Sequence, residues 1–115
     1  MSYRAILIPA DGDPEWIDLA DDGTALRSVV GGWCDFSVLT RVGGGAGVNL
    51  AVHEYSLLND MPHNTVASAI VAALGRDYHV HGPAVLLGLS GPSTVDLTVQ
   101  QWDDLADLAA AGSRP

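Results

Sequence analysis

His79-Val80-His81 carries two imidazoles on alternate residues. In an extended backbone alternate side chains leave the same face, so both rings can serve one point in space. One carboxylate, from Asp77 or Glu54, would complete a two-histidine, one-carboxylate site for a divalent metal. Against that, the pair runs directly into the turn at Gly82-Pro83, and no spacing fixes a third ligand. A second constellation brackets the stretch 53–64, with His53 and Glu54 opening it, Tyr55 and Asn59 inside it, and His63 and Asn64 closing it. An imidazole beside a carboxylate is the minimum for general acid–base chemistry. Each member also has a structural role: Asn64 as a helix cap, Glu54 as an acceptor of backbone N–H groups, the histidines as solvated surface. No hydroxyl or thiol stands at a spacing that makes it a nucleophile. The chain therefore reads as a binding protein rather than an enzyme, needing no cofactor and no metal, with His79 and His81 as its one close imidazole pair.

The remaining chemistry-bearing features point the same way. The run Gly43 to Gly47 lacks the lysine and Ser/Thr of a phosphate loop and reads as a hairpin tip. Cys34 alternates with Asp35 and shares a face with Phe36 and Val38, so it is expected as an inert core thiol facing inward with them. Asp11, Asp13, Glu15, Asp18, Asp21 and Asp22 crowd into twelve residues, and Asp96, Asp103, Asp104 and Asp107 form a second acidic group. Such a patch can imitate the phosphates of DNA toward a DNA-binding protein, or can be a solvated face.

The whole-chain totals set the frame. The 115 residues hold 5 Lys+Arg against 14 Asp+Glu, a formal net charge of −9. The basic residues are arginines spread singly along the chain, and the pI of about 4.4 argues against phosphate-backbone binding, so no direct nucleic-acid partner is expected. A single cysteine rules out an internal disulfide and a thiolate metal cluster. The apolar run Ile6-Leu7-Ile8 is stopped by Pro9, far short of a signal peptide or a membrane span, which gives the expectation of a cytoplasmic protein without membrane contact. At 48% hydrophobic and 17% charged residues the chain folds rather than stays disordered.

The elements that must position these residues follow from periodicity and punctuation. Tyr3 to Ile8 reads as a buried strand, and Glu15 to Leu19 as a hairpin partner with Ile17 and Leu19 on one face and Trp16 and Asp18 on the other. Asp21, Asp22 and Gly23 open a short helix through Leu26, Val29 and Val30 that Gly31-Gly32 stops. Cys34, Phe36 and Val38, then Val48, Leu50 and Val52, alternate as a second hairpin. Asn64 caps a helix with Val66, Ile70, Val71 and Leu74 on one face, ended by Gly75. Ala84 to Leu87 reads as a buried strand followed by Thr94 to Leu97. Thr98 and Gln101 form a capping box, with Leu97 stapled to Trp102, opening a last helix through Leu105, Leu108 and Ala109. The prediction is one α+β domain over 1–111 with a frayed tail 112–115, a mostly antiparallel sheet of five or six strands in the order β-β-α-β-β-α-β-(β)-α, and three helices packed on one face.

Several of these segments resemble a known pattern in sequence order: Pro9-Ala10-Asp11-Gly12 after the first strand, Leu26 to Gly32 entering a strand, the loop from Val52-His53-Glu54 to Pro62-His63-Asn64, Gly82 to Gly88, and Leu97 to Gln101. Over roughly residues 5–108 the chain resembles a family of small uncharacterised proteins, labelled as a domain of unknown function, from mycobacteriophages, actinophages and actinobacterial mobile elements. Within the loop, Glu54, Leu57, Pro62 and Asn64 match that pattern, whereas His53 replaces an asparagine and Tyr55-Ser56 a glycine turn. The absence of lysine amid abundant alanine, glycine, valine and aspartate suits a GC-rich genome of that kind. The resemblance implies a phage or mobile-element setting and no known activity, and the first reading is a non-enzymatic accessory protein of that setting that acts by binding a host protein. The alternative is a small-molecule or nucleotide-binding protein, or a weak enzyme, using the loop 53–64. His53, Glu54, Tyr55, Asn59, His63 and Asn64 are the candidate binding residues, with Asp11, Asp13, Asp18, Asp21 and Asp22 a second candidate patch. The oligomeric state stays open.

Overall fold

The computed structural model describes residues 2–20, 24–32, 34–42, 46–53, 60–74, 79–90 and 93–112, by backbone alone at 37, 40–42, 46 and 108–112. Nine elements follow one another: β1 (Ser2–Ile8), β2 (Glu15–Ala20), α1 (Thr24–Val30), β3 (Cys34–Val42), β4 (Ala46–His53), α2 (Thr65–Ala73), β5 (Ala84–Ser90), β6 (Ser93–Val95) and α3 (Val99–Gly112). This is the predicted order, and the fold is α+β. The sheet runs β2-β1-β5-β4-β3, with β6 also on β5, and each of these pairings is antiparallel.

Period-two alternation gives each strand two faces, and here both are buried. Ile6, Ile8, Val48, Leu50, Ala84 and Leu86 point to the side where Ala67, Ile70 and Val71 of α2 and Leu105 of α3 complete a core. Ala5, Leu19, Ala51, Val85 and Leu87 point to the other side, under Leu26 and Val30 of α1. The expectation that all three helices share one face is thus wrong. The unbroken apolar run Ala84-Val85-Leu86-Leu87 is the reason: a strand apolar on both faces needs a cover on both. Because both faces are covered, Trp16, expected to face out beside Asp18, packs against the α2 and α3 core, with the Arg4 guanidinium 4.8 Å from its ring centroid.

The edge strand β3 departs from its reading too. Phe36, expected inward with Cys34 and Val38, is 50% exposed, whereas Leu39 is buried against the α2 side. Cys34 lies within the cover of the α1 face, and the register shifts by one residue between Val38 and Thr40. Burial raises the Cys34 thiol above its ordinary pKa, with Arg27 pulling weakly the other way, and its Sγ–H points to the Gly32 carbonyl at 3.9 Å.

Local signals hold where they fall on described residues. Helix α1 stops at Gly31, whose φ of +92° suits a residue without a Cβ, and the Gly31 and Gly32 N–H groups both donate to Arg27 O at 2.9 Å. At α3, Gln101 N–H donates to Thr98 Oγ1 at 3.0 Å and Thr98 N–H to Gln101 Oε1 at 2.9 Å, the two halves of the capping box. Leu97 is buried in the same core that Trp102 packs against, as the staple requires. The roles proposed for Asp21, Asp22, Gly23, the glycines 43–45 and Gly75, and the side chains of Leu108 and Ala109, lie outside what is described.

One edge of β5 serves two strands. Ile6, Leu7 and Ile8 of β1 pair with its first half and β6 with its second. Where they part, Arg4 N–H donates to Asp96 Oδ1 at 2.7 Å and Leu97 N–H to Arg4 O at 2.9 Å, filling the gap in the ladder. The carbonyls of Val95 and Asp96 come so close to Gly88 that any Cβ there would strike them.

Candidate functional site

The site grows from a single short bridge. His63 pairs with His81 in antiparallel fashion, closed by Asn64 N–H to Val80 O at 2.8 Å and Gly82 N–H to Pro62 O at 2.7 Å. Asn64 makes this bridge part of the core. It is fully buried, and its Oδ1 accepts the Ala67 N–H at 3.0 Å as the predicted cap of α2. Its Nδ2 donates to Ile8 O and to Gly82 O, both at 2.9 Å. One side chain therefore joins the end of β1, the start of α2 and the segment entering β5. Ser68, a turn into α2, adds a second tie by accepting the Val80 N–H on its Oγ at 2.8 Å. Val80 itself is buried in the α2 core, so the residues either side of it turn outward.

Those residues are His79 and His81, and they meet His63. The His63 Nε2 lies 3.3 Å from His79 Nδ1, and the ring centroids are 5.3 Å apart. The His81 ring stands edge-on to His63 at 5.5 Å between centroids, with its Nδ1 3.2 Å from Met61 O. A carbonyl only accepts, so His81 Nδ1 is the donor in that hydrogen bond. His63 and His79 are exposed and His81 is partly buried. Gly82, at φ +77°, lets the chain turn beneath Met61, whose sulfur sits where a Cβ would be.

Of the sequence candidates, the structure brings His63 and Asn64 to one corner and supplies His79 and His81 as their neighbours. His79 and His81 are not the one close imidazole pair: His63 lies within hydrogen-bond distance of His79, across sixteen residues of chain, and edge-on to His81. The signal was present in the heavy representation of histidine around positions 63–81, but only the bridge decides which rings meet. His53, at the end of β4, is buried on the α1 side with its ring against Gly32, where a Cβ would meet Nε2 at 2.6 Å. Asp11, Asp13 and Asp18 are exposed on the β1–β2 hairpin. Glu54, Tyr55, Asn59, Asp21, Asp22 and Asp77 lie outside the described residues. Among the described residues no three His, Cys, Asp or Glu side chains form a group that could hold a metal ion. No helix among them is long and apolar enough to cross a membrane.

A six-stranded antiparallel sheet between α1 and the α2–α3 pair, with a histidine-rich corner set on a buried asparagine, defines this as a small α+β domain. The chain belongs to the family described as domain of unknown function DUF3846, whose model matches residues 3–110. Neither the curated proteins nor the solved structures contain a significant match to it.

Proposed function

We propose that this chain acts by binding, as an accessory protein of a phage or mobile element of actinobacteria, and that its target is a protein in the cytoplasm of the host. The observation that carries the reading is the corner at His63, His79 and His81. Asn64 and Ser68 spend their polar atoms on the fold and hold the backbone still, while the exposed rings beside them have no part in the core. A rigid platform presenting polar, aromatic side chains is what recognition needs, since little order is lost on docking. The formal charge of −9, with exposed carboxylates at Asp11, Asp13 and Asp18, favours a protein with a basic face over a nucleic acid.

The test is retention of a protein from an actinobacterial lysate by the immobilised chain, run beside the double variant His63→Ala, His79→Ala. The wild type retains a host protein that the variant loses, although both melt at the same temperature. Equal retention by both, or none by either, overturns this reading. Thermal shifts with nucleotides or metabolites in place of retention support the small-molecule alternative.

A further inference from the structure

We propose that Met61 is a site of methionine oxidation, and that peroxide, by converting its thioether to the sulfoxide, unlatches the histidine corner. The chain has two methionines, Met1 and Met61, so a single internal sulfur is involved. The Met61 side chain folds over Gly82, where a Cβ would meet its Sδ at 2.6 Å, its Cβ at 3.3 Å and its Cγ at 3.5 Å. Its methyl group reaches on toward Gly31, 4.0 Å from the Cβ position there, beside the His53 ring. Gly31 and Gly82 are the glycines of positive φ among the described residues. Neither has a side chain of its own, and one thioether fills the space at both.

An apolar sulfur suits that notch and a sulfoxide does not, because its oxygen is a strong acceptor that must find a donor or water. The backbone N–H groups around it are already donated, those of Gly31 and Gly32 to Arg27 O and that of Gly82 to Pro62 O. The new oxygen therefore turns to solvent and draws the side chain out. Met61 is only partly buried, and Asp60, Pro62 and His63 beside it are exposed, so dissolved peroxide reaches the sulfur. A sulfur lone pair attacks one peroxide oxygen, the S–O bond forms and the O–O bond breaks. The departing hydroxide takes the proton left on the attached oxygen and leaves as water, so sulfur loses the two electrons that peroxide gains. The loss of packing is passed on, since the Met61 carbonyl holds His81 Nδ1 and the His81 ring stands edge-on to His63. Asp60, a non-glycine residue at φ +55°, keeps a sparsely populated backbone conformation that the seated Met61 sustains.

Treatment of the full chain with hydrogen peroxide under native conditions, followed by peptide mass mapping and melting, tests the site. Met61 gains one oxygen atom, the melting temperature falls by about 4 °C or more, and the His63 and His81 ring signals shift in NMR spectra. The two methionine sulfoxide reductases, one for each epimer, restore the melting temperature, whereas dithiothreitol does not, which separates the effect from oxidation of Cys34. Met61→Leu keeps an apolar side chain over Gly82 and melts at the same temperature with and without peroxide, and Cys34→Ser responds as the wild type does. A Met61 that stays unoxidised in the folded chain at a peroxide dose that oxidises it in urea overturns the proposal. So does oxidation of Met61 without a change in melting temperature, or a full response from Met61→Leu. Should Met61→Leu fail to fold, recovery of the wild type by the reductases decides. Control of host-protein retention by this latch rests on the binding reading above, but no partner enters these measurements, so either can fail while the other succeeds.

Discussion

Two helix starts in this molecule use the same device to different ends. At α3 the exposed Thr98 caps through hydrogen bonds that begin and end within the first turn, while Gln101 Nε2 alone reaches further, to Gly47 O of β4 at 3.2 Å. At α2 the Asn64 cap is fully buried, and the same side chain reaches Ile8, 56 residues away, and Gly82 on the segment entering β5. The chemistry of capping is alike in both, an oxygen accepting an orphan N–H. What differs is the cost of losing it. Water can replace Thr98, whereas nothing replaces Asn64 in a dry core. The capping side chain itself is therefore local at Thr98 and tertiary at Asn64.

The contrast can be broken in graded steps. Truncation after Leu97 removes not the cap alone but the helix behind it, and with it Trp102 and Leu105. Burial of such side chains is worth about 1.5–3 kcal/mol each, a large share of a ~5–15 kcal/mol stability. The truncated chain should lose its cooperative thermal transition by circular dichroism. Asn64→Ala comes next, with a loss of about 3 kcal/mol or more in urea unfolding, because the carbonyls of Ile8 and Gly82 and the Ala67 N–H are left unpaired. Asn64→Asp should be nearly as damaging. It keeps the capping oxygen but turns a carboxylate on two carbonyls, and so separates the cap from the clamp. Thr98→Ala should cost only about 1 kcal/mol. Should Asn64→Ala and Thr98→Ala prove equal, the two caps do not differ as described. Smallest is Cys34: burial holds its thiol protonated above the ordinary range, so alkylation of the native protein near pH 8 should be slower than that of the unfolded chain.

The sequence reveals one of these caps better than the other. Thr98 and Gln101 announce their hydrogen bonds by spacing, because both partners lie within one turn. Asn64 announces the cap and conceals the clamp, since Ile8 and Gly82 are brought to it only by the sheet. The same divide runs through the fold. Alternation and turn residues give all nine elements and their antiparallel sense, but not that the run Ala84 to Leu87 must be covered twice, which places α1 opposite α2 and α3. Phe36 follows the alternation of its strand, yet whether that face is covered at the β3 edge depends on where α1 ends. For the histidines, spacing suggests His79 with His81, and only the bridge at His63 brings a third ring beside both.

The place of β5 in the sheet has a temporal side. It lies between β1 and β4, so within the sheet the two earlier hairpins, β1–β2 and β3–β4, are joined only through it. As the chain leaves the ribosome, both hairpins are synthesised before the strand that unites them, and each can form early because its partners are close in sequence. Until residues 84–90 emerge, however, the edges of β1 and β4 that await β5 have no strand between them. For that interval the growing chain carries two open strand edges, the surfaces by which nascent β-proteins mispair with one another. Assembly of the native sheet is thus timed by the emergence of residues 84–90.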